Sequence, residues 1–208
     1  MIYIHKFAIC AGAIALMLAC GAEVGGGERL QLGSTTPLSE VKMKSVNGDN
    51  RSISDVKGEK GTLVIFSCNS CPWVVAWEDR ITEIGNAYEK KGFGVIVINS
   101  NDPQSVSGDG LDEMTKRSKK LGFTSPYVVD ATSDVARAFG ATRTPEVFLF
   151  DNGGVLVYHG AIDDDAKNPE RVEAHYLKDA LEAILQEKEV GRKETKALGC
   201  SIKFRPKA

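Results

Sequence analysis

Two cysteines separated by two residues, Cys68 and Cys71, are the residues whose types and spacing most directly suggest chemistry. Such a pair can bind a metal ion, form a reversible disulfide, or supply a thiol that reduces peroxides. The pair lies in the stretch FSCNSCPW, behind an apolar run and ahead of Pro72. The elements on either side of the pair therefore select among these three uses.

The cysteines are predicted to lie on a turn between a buried strand and a helix. The apolar run TLVIF over residues 62–66 is typical of a buried central strand. From Pro72 onward, apolar residues recur every three or four positions, which predicts an amphipathic helix. The N-terminus of a helix stabilises a thiolate. We therefore predict that Cys68, exposed at the turn, is the nucleophile and that Cys71, in the first helical turn, resolves the mixed disulfide.

The remaining patterns predict one α/β domain with a mixed central sheet and helices on both faces. Because a strand, a helix and a strand follow one another around the cysteines, the first two central strands should be parallel. Further strands are predicted over residues 41–46, 93–98 and 126–129, with a hairpin over 147–150 and 155–159. Further helices are predicted over residues 111–121, 132–139 and 169–185.

The N-terminal residues resemble an export signal. Residues 1–19 combine Lys6 with a short apolar run, and the ending LMLAC resembles the lipobox of bacterial lipoproteins. We predict a signal peptide over 1–19 and a lipid on Cys20, which place the protein in the bacterial cell envelope, facing the periplasm or the cell surface. A cleaved signal or an uncleaved anchor with an incidental cysteine is the alternative.

The rest of the chain is predicted to have three parts. Residues 20–36 are rich in glycine and small polar residues, which predicts a lipid-anchored flexible linker. Residues 37–186 hold the folded domain, and 187–208 form a basic tail that contains Cys200. This cysteine is either a third redox cysteine, exchanging electrons with the pair, or a free or structural cysteine on a disordered tail.

Composition and charge limit the classes of partner that the protein could bind. A formal net charge of −2 offers no general attraction to nucleic acid. The predicted partners are thiols and disulfides of proteins or small molecules, with a membrane electron donor as a candidate, and no cofactor is predicted. A metal site would need Cys200 as its third ligand and His159 or His175 as its fourth. A structural disulfide between the paired cysteines is the inert alternative.

Several further motifs carry a resemblance to a known family. Thr144-Pro145 immediately precedes a predicted strand, where an X-Pro bond can take the cis form. Together with this pair, the stretches FSCNSCPWVVAWEDR, NSNDPQ, GATRTPEVFLFD, VYHGAIDDD and GCSIKF resemble the peroxiredoxin-like, or redoxin, branch of the thioredoxin superfamily. This branch is related to the alkyl hydroperoxide reductase and thiol-specific antioxidant group, and the resemblance runs from about residue 32 to 205.

The resemblance implies a thioredoxin-like fold, thiol redox chemistry at Cys68 and Cys71, and a cis proline at Pro145. With Thr144, that proline would line the substrate groove. Trp73 is expected to border the turn and to shield the two sulfurs.

Departures from the family pattern decide between activities. Peroxiredoxins carry a proline and a threonine ahead of their peroxidatic cysteine, and the corresponding positions here are Val64 and Cys68. The buried aspartate of thioredoxin is replaced by Thr62, and His159 stands where an arginine is expected. We therefore predict a thiol-disulfide oxidoreductase with an antioxidant or disulfide-handling role. A thiol peroxidase and a metal-binding envelope lipoprotein are the alternatives.

Overall fold

The computed structural model describes residues 28–207 of the 208-residue chain. The predicted signal peptide and Cys20 lie outside these described residues. Within residues 28–207, no helix is both long enough and apolar enough to cross a membrane.

The described residues form a mixed α/β fold. The strands are β1 (Met43–Ser45), β2 (Asn50–Arg51), β3 (Gly61–Phe66), β4 (Phe93–Asn99), β5 (Tyr127–Val129), β6 (Arg143–Thr144), β7 (Glu146–Asp151), β8 (Leu156–Gly160) and β9 (Cys200–Ser201). The α-helices are α1 (Pro72–Glu89), α2 (Leu111–Leu121), α3 (Asp134–Phe139) and α4 (Tyr176–Leu185). Short 3₁₀ turns occupy Ser54–Val56, Ser107–Asp109 and Pro169–Arg171.

The central sheet of the described residues has the order β2-β1-β5-β4-β3-β7-β8. Strand β3 lies beside β4 in parallel and beside β7 antiparallel, so the predicted mixed sheet and its parallel unit are confirmed. The predicted hairpin is also confirmed, because β7 pairs antiparallel with β8. As a result, the cysteine turn begins at the end of a strand that has neighbours on both sides.

Both faces of the sheet are covered, as predicted. Successive residues of a strand point to opposite faces. Leu63 and Ile65 belong to a core cluster shared with α1, α2 and α4. Val64 and Phe66 belong to a second cluster, shared with α3. The strand that leads to the cysteines is therefore anchored from both sides.

One predicted helix is wrong over its first half. The apolar pattern predicted a helix over 169–185, but α4 begins only at Tyr176. The backbone of Val172 is extended, and the N–H of Glu173 donates to a side-chain oxygen of Asp164 at 3.1 Å. A tertiary contact therefore takes a backbone donor that a continuous helix would use.

Part of the predicted flexible linker packs against the domain. Leu30 and Leu32 contact the second core cluster. The backbone N–H of Leu30 donates to the carbonyl of Phe139 at 3.1 Å, and that of Gly33 donates to the carbonyl of Leu156 at 2.9 Å. The folded unit thus begins before the predicted boundary at residue 37.

The C-terminal segment folds back over the domain. We call residues 190–205 the strap. Val190 and Ile202 of the strap are buried. Along β8, the N–H of His159 donates to the carbonyl of Lys193 at 2.9 Å, and the N–H of Thr195 donates to the carbonyl of His159 at 3.0 Å. The alternative of a disordered tail around Cys200 is therefore wrong.

Candidate thiol site

Three free cysteines meet at the end of β3. Cys68 lies two residues beyond the strand, Cys71 is the N-cap of α1, and Cys200 opens β9 in the strap. The sulfurs of Cys71 and Cys200 lie 2.7 Å apart, although 129 positions separate the two residues in the sequence. Tertiary folding thus adds a third thiol to the pair that spacing alone identifies.

The residue ahead of the proline contacts both thiols of the turn. The Thr144-Pro145 bond is cis, as the resemblance implied. The hydroxyl of Thr144 lies 3.2 Å from the sulfur of Cys68, and its carbonyl oxygen lies 3.1 Å from the sulfur of Cys71. Thr144 also pairs with Cys200 across β6 and β9. One residue therefore touches all three cysteines.

The turn is more enclosed than its sequence predicted. Cys68 is 3% exposed and Cys71 is 4% exposed. The expectation of an exposed Cys68 is therefore wrong, because Thr144, Val74 and the strap surround the turn. Trp73 packs against this cluster, where the sequence placed it.

Cys71 is the site in this group that best supports a thiolate. A side-chain hydrogen bond from Cys68 lowers the pKa of the Cys71 thiol to about 4, with further contributions from Cys200 and from the backbone N–H of Val74. The contact with the Thr144 carbonyl opposes this effect, because only the neutral thiol can donate there. The position of Cys71 at the N-terminus of α1 also favours the anion.

The other two cysteines favour the neutral thiol. The hydrogen bond with Cys71 and burial both raise the pKa of Cys68 above its ordinary value, and the nearby charge of Asp109 acts in the same direction. Burial and the hydrogen bond with Cys71 raise the pKa of Cys200 to about 11. These shifts favour a thiolate at Cys71 and neutral thiols at Cys68 and Cys200.

A buried network of hydrogen bonds holds the turn that carries Cys68 and Cys71. A carboxylate oxygen of Asp109, which is 2% exposed, accepts the backbone N–H of Asn69 at 2.7 Å. Its other oxygen accepts the side-chain amide of Asn101 at 2.6 Å. The hydroxyl of Tyr127 donates to the side-chain oxygen of Asn69 at 3.0 Å. Asn69, one of the two residues between the cysteines, is therefore held in place through both its backbone and its side chain.

The same network reaches the strap. The side-chain oxygen of Asn101 accepts the backbone N–H of Lys203 at 2.8 Å. Asn101 lies in the stretch NSNDPQ, which carried part of the family resemblance, but neither its role nor that of Asp109 was predicted, because the residues of this polar loop suit an ordinary turn. Only folding brings that loop behind the cysteines.

A second buried pair supports the loop that carries Thr144. Glu146 follows Pro145, and one carboxylate oxygen accepts the backbone N–H groups of Thr142 and Arg143 at 2.8 and 2.9 Å. The other oxygen lies 2.7 Å from Nε2 of His159. This contact gives the unexpected His159 a structural partner. A charged residue at the start of the apolar run EVFLF was the sequence signal for this pair.

The metal-site alternative gains no support from the geometry. Among residues 28–207, no three His, Cys, Asp or Glu side chains are grouped so as to hold a metal ion. His159 is committed to Glu146, and His175 is exposed at the start of α4.

Comparison with known proteins agrees with this architecture. The Redoxin family model matches residues 31–176, which is more than half of the chain. The chain belongs to the Redoxin family. The matched range covers the cysteine turn, the Thr144-Pro145 loop and the sheet between them, but it ends before the strap.

Solved structures share the fold over most of the chain. An uncharacterised conserved protein from Geobacillus kaustophilus superposes with a TM-score of 0.81 at 33% identity, over 88% of this chain and 97% of that one. A thioredoxin-like protein in its oxidised form superposes with a TM-score of 0.62 at 20% identity, over 77% of this chain and 100% of that one. The predicted thioredoxin-like fold is confirmed.

A curated relative carries an activity in its name. Thiol-disulfide oxidoreductase ResA from Geobacillus thermodenitrificans is 25% identical over 123 residues, which cover 59% of this chain. The chain spans about 65% of the length of this relative.

Proposed function

We propose that this protein is a thiol-disulfide oxidoreductase that uses Cys68 and Cys71 as a reversible dithiol, with Cys200 as a third redox cysteine. The observation that carries the proposal is the meeting of three free thiols at one turn. Thr144 contacts Cys68 and Cys71 there, and the sulfur of Cys200 lies 2.7 Å from that of Cys71. Membership of the Redoxin family and the name of the ResA relative support the same reaction class.

The reaction begins when a thiolate attacks a substrate disulfide. The attacked S–S bond breaks, one substrate sulfur leaves as a thiolate, and the other forms a mixed disulfide with the protein. A second cysteine then attacks the protein sulfur of the mixed disulfide and displaces the remaining substrate thiolate. Its proton is given up to the departing sulfur. Two electrons pass from the protein dithiol to the substrate, and the protein retains an intramolecular disulfide.

The strand-to-helix turn predicted from the sequence favours Cys68 as the nucleophile and Cys71 as the resolving thiol. The pKa directions favour Cys71 as the attacking thiolate, because Cys68 is held as a buried thiol donor. We propose Cys71 as the nucleophile and Cys68 or Cys200 as the resolving thiol.

Exchange with hydroxyethyl disulfide tests both the activity and the roles. Cys71→Ser should lower the steady-state rate at least about 1,000-fold. Cys68→Ser combined with Cys200→Ser should trap the small thiol on Cys71, because both candidate resolving thiols are then absent. A nucleophile at Cys68 would instead trap it on Cys68 when Cys71→Ser is combined with Cys200→Ser. Mass spectrometry of the quenched protein identifies the cysteine that carries the small thiol. Rates in Cys68→Ser and Cys71→Ser that equal the wild-type rate would contradict the proposed function.

A thiol peroxidase is the second candidate, and the low pKa of Cys71 is the observation that favours it. In that reaction the thiolate attacks a peroxide oxygen, becomes a sulfenic acid, and then condenses with Cys68 or Cys200 to form a disulfide and water. Stopped-flow mixing of the reduced protein with hydrogen peroxide tests this candidate. Peroxide consumption no faster than that by free cysteine removes it.

We further propose that the protein works in the bacterial cell envelope, attached through a lipid on Cys20. The signal-like residues 1–19 and the sequence LMLAC support this location. Its partners would be thiols or disulfides, with electrons supplied by a membrane carrier. Metabolic labelling with a radioactive fatty acid in a bacterial host should mark the wild-type protein and not Cys20→Ser. Equal labelling of both would contradict the anchor.

A further inference from the structure

The strap occupies a strand edge beside the thiols. Strand β6 pairs antiparallel with β9, so that Thr144 lies opposite Cys200 and Arg143 lies opposite Ser201. The N–H of Ile202 continues the pairing by donating to the carbonyl of Thr142 at 2.9 Å. Without the strap, the carbonyl of Thr142 would lose its donor and Thr144 would lose its strand partner, close to Cys71. Such an edge is a template for an extended polypeptide.

Gly199 allows the strap to lie this close to the edge. A methyl group added at Gly199 would lie 2.3 Å from the carbonyl oxygen of Thr144, which is far inside van der Waals contact. Because the colliding atom belongs to the backbone, a side-chain rotation cannot relieve the clash. Gly191, also in the strap, has nothing within 4 Å of such a methyl group. The chain therefore offers a steric probe of docking and a matched control.

The part of the strap that carries Cys200 is held differently from its two ends. On the N-terminal side of Cys200, the side-chain oxygen of Thr195 accepts the backbone N–H of Ala161 at 2.9 Å. After Cys200, Ile202 is buried against the second core cluster. Lys196 and Leu198, between these anchors, are exposed. Movement of residues 196–201 away from β6 would expose the edge without opening the central sheet.

We infer that the strap is a self-inhibiting cover of this site, which occupies the strand edge and places Cys200 where a substrate sulfur would lie. An extended, cysteine-containing segment of another protein would have to displace β9 before it could pair with Thr144 and bring its own sulfur beside Cys71. The inference deepens the proposed function and rests on it for the chemistry.

The docked strap also has a covalent state that needs no external reagent once the turn is oxidised. The thiolate of Cys200 attacks the Cys71 sulfur of a Cys68–Cys71 disulfide. The S–S bond between Cys68 and Cys71 breaks, a bond between Cys71 and Cys200 forms, and Cys68 leaves as a thiolate that takes up the proton released by Cys200. The number of disulfides is unchanged. In this state the strap is locked over the edge, so an extended substrate is excluded.

A peptide with the sequence of residues 196–205, carrying serine in place of cysteine and a fluorescent label, tests the inference on the reduced full-length chain. Gly199→Ala should bind it about tenfold more tightly than the wild type, because the docked strap reduces the competent fraction. Gly191→Ala should bind as the wild type does. Cys200 should also be alkylated faster in Gly199→Ala than in Gly191→Ala. Ile202→Ser, which loosens the strap at another contact, should shift both readouts in the same direction.

The outcomes separate this inference from the proposed function. Faster alkylation of Cys200 without tighter peptide binding overturns the inference, since the strap would then leave no site for an extended segment. Equal alkylation of Gly199→Ala and Gly191→Ala overturns it as well, since the close approach to Thr144 would not control docking. The peptide has no thiol, so these results do not depend on exchange activity. Failure of the proposed function would appear only in the assay with hydroxyethyl disulfide.

Discussion

The turn with Cys68 and Cys71 and the strap with Cys200 bring sulfurs to the same point by different means. The turn is fixed by a buried network in which Asp109 accepts the N–H of Asn69. The strap near its cysteine is held by a two-residue strand pairing and by the close fit of Gly199.

The difference is between a turn held by buried hydrogen bonds and a surface segment held by a short strand pairing. Buried hydrogen bonds to a carboxylate are costly to break, because each donor left behind lacks water as a replacement partner. A short strand pairing at the surface can exchange its backbone hydrogen bonds for those of water or of another chain. The following predictions test this contrast, beginning with the largest expected effect.

The ionisation of Cys71 should separate the turn most strongly from the strap. Its pKa is lowered to about 4 from an ordinary 9.0, while the pKa of Cys200 is raised to about 11. The alkylation rate of Cys71 should therefore be half-maximal near pH 4 and level above it, whereas that of Cys200 should still rise in alkali. Site-resolved mass spectrometry after brief alkylation measures both profiles.

The same shift predicts how stability depends on pH. Between about pH 4 and 9 the unfolded Cys71 binds a proton that the folded one does not, so the shift makes folding of the reduced protein more favourable as pH rises. This contribution to the free energy of unfolding is complete above the pKa of Cys71 in the unfolded protein. It is lost as the pH falls through the pKa of Cys71 in the folded protein. An alkylation midpoint for Cys71 close to its ordinary value would contradict both statements.

Removal of the Asp109 carboxylate should damage the turn. Asp109→Ala leaves the N–H of Asn69 and the amide of Asn101 without their acceptor, which should cost about 3 kcal/mol of unfolding free energy. Asp112→Ala, at an exposed position in the first turn of α2, should cost about 0.5 kcal/mol or less. Urea titrations measure both variants. A loss in Asp109→Ala no greater than in the control would show that the network does not hold the turn.

The support beneath Thr144 should be less sensitive to a conservative change. Glu146→Gln keeps one oxygen for the N–H groups of Thr142 and Arg143 but weakens the contact with His159, so we expect a loss of about 1 kcal/mol. Glu170→Gln is the matched control on the surface and should be neutral. Thermal unfolding followed by circular dichroism compares the two. A neutral Glu146→Gln would remove the buried pair as a support of the loop.

Loss of the strap thiol should have the smallest effect on stability. Cys200→Ser changes a half-buried residue on a surface strand, and its unfolding free energy should change by about 0.5 kcal/mol or less. Its effect should instead appear at Cys71, whose alkylation midpoint should rise because one hydrogen-bond donor is lost. A large loss of stability would mean that the strap is as fixed as the turn.

Local sequence patterns predicted the elements whose apolar residues follow a single period of secondary structure. The run over residues 62–66 and the amphipathic stretch from Pro72 to Tyr88 correspond to β3 and α1. In both, the spacing of apolar residues matches one period of secondary structure, so burial and backbone geometry agree. The helix predicted from residue 169 failed in its first half, because the hydrogen bond from Glu173 to Asp164 competed with the helical pattern.

The candidate site also combines features that the sequence predicted with features that depend on tertiary contacts. Spacing identified Cys68 and Cys71, and a family resemblance placed Thr144 and Pro145 beside them. Neither source showed that Cys68 would be buried or that Asp109 and Glu146 would support the two loops. These contacts join residues that are far apart in the sequence, so the local spacing of apolar residues cannot predict them.

The sequence by itself determined a strand-to-helix turn bearing two cysteines, because apolar periodicity and a proline at the start of α1 specify that turn locally. Only the tertiary structure brought the third thiol to that turn and set the hydrogen bonds that shift the pKa of each cysteine. The pKa of Cys71 depends on hydrogen bonds from Cys68 and Cys200, and Cys200 reaches it only because the strap pairs with β6. Electrostatics and backbone pairing act through space, so their outcome depends on contacts that form only when the chain folds.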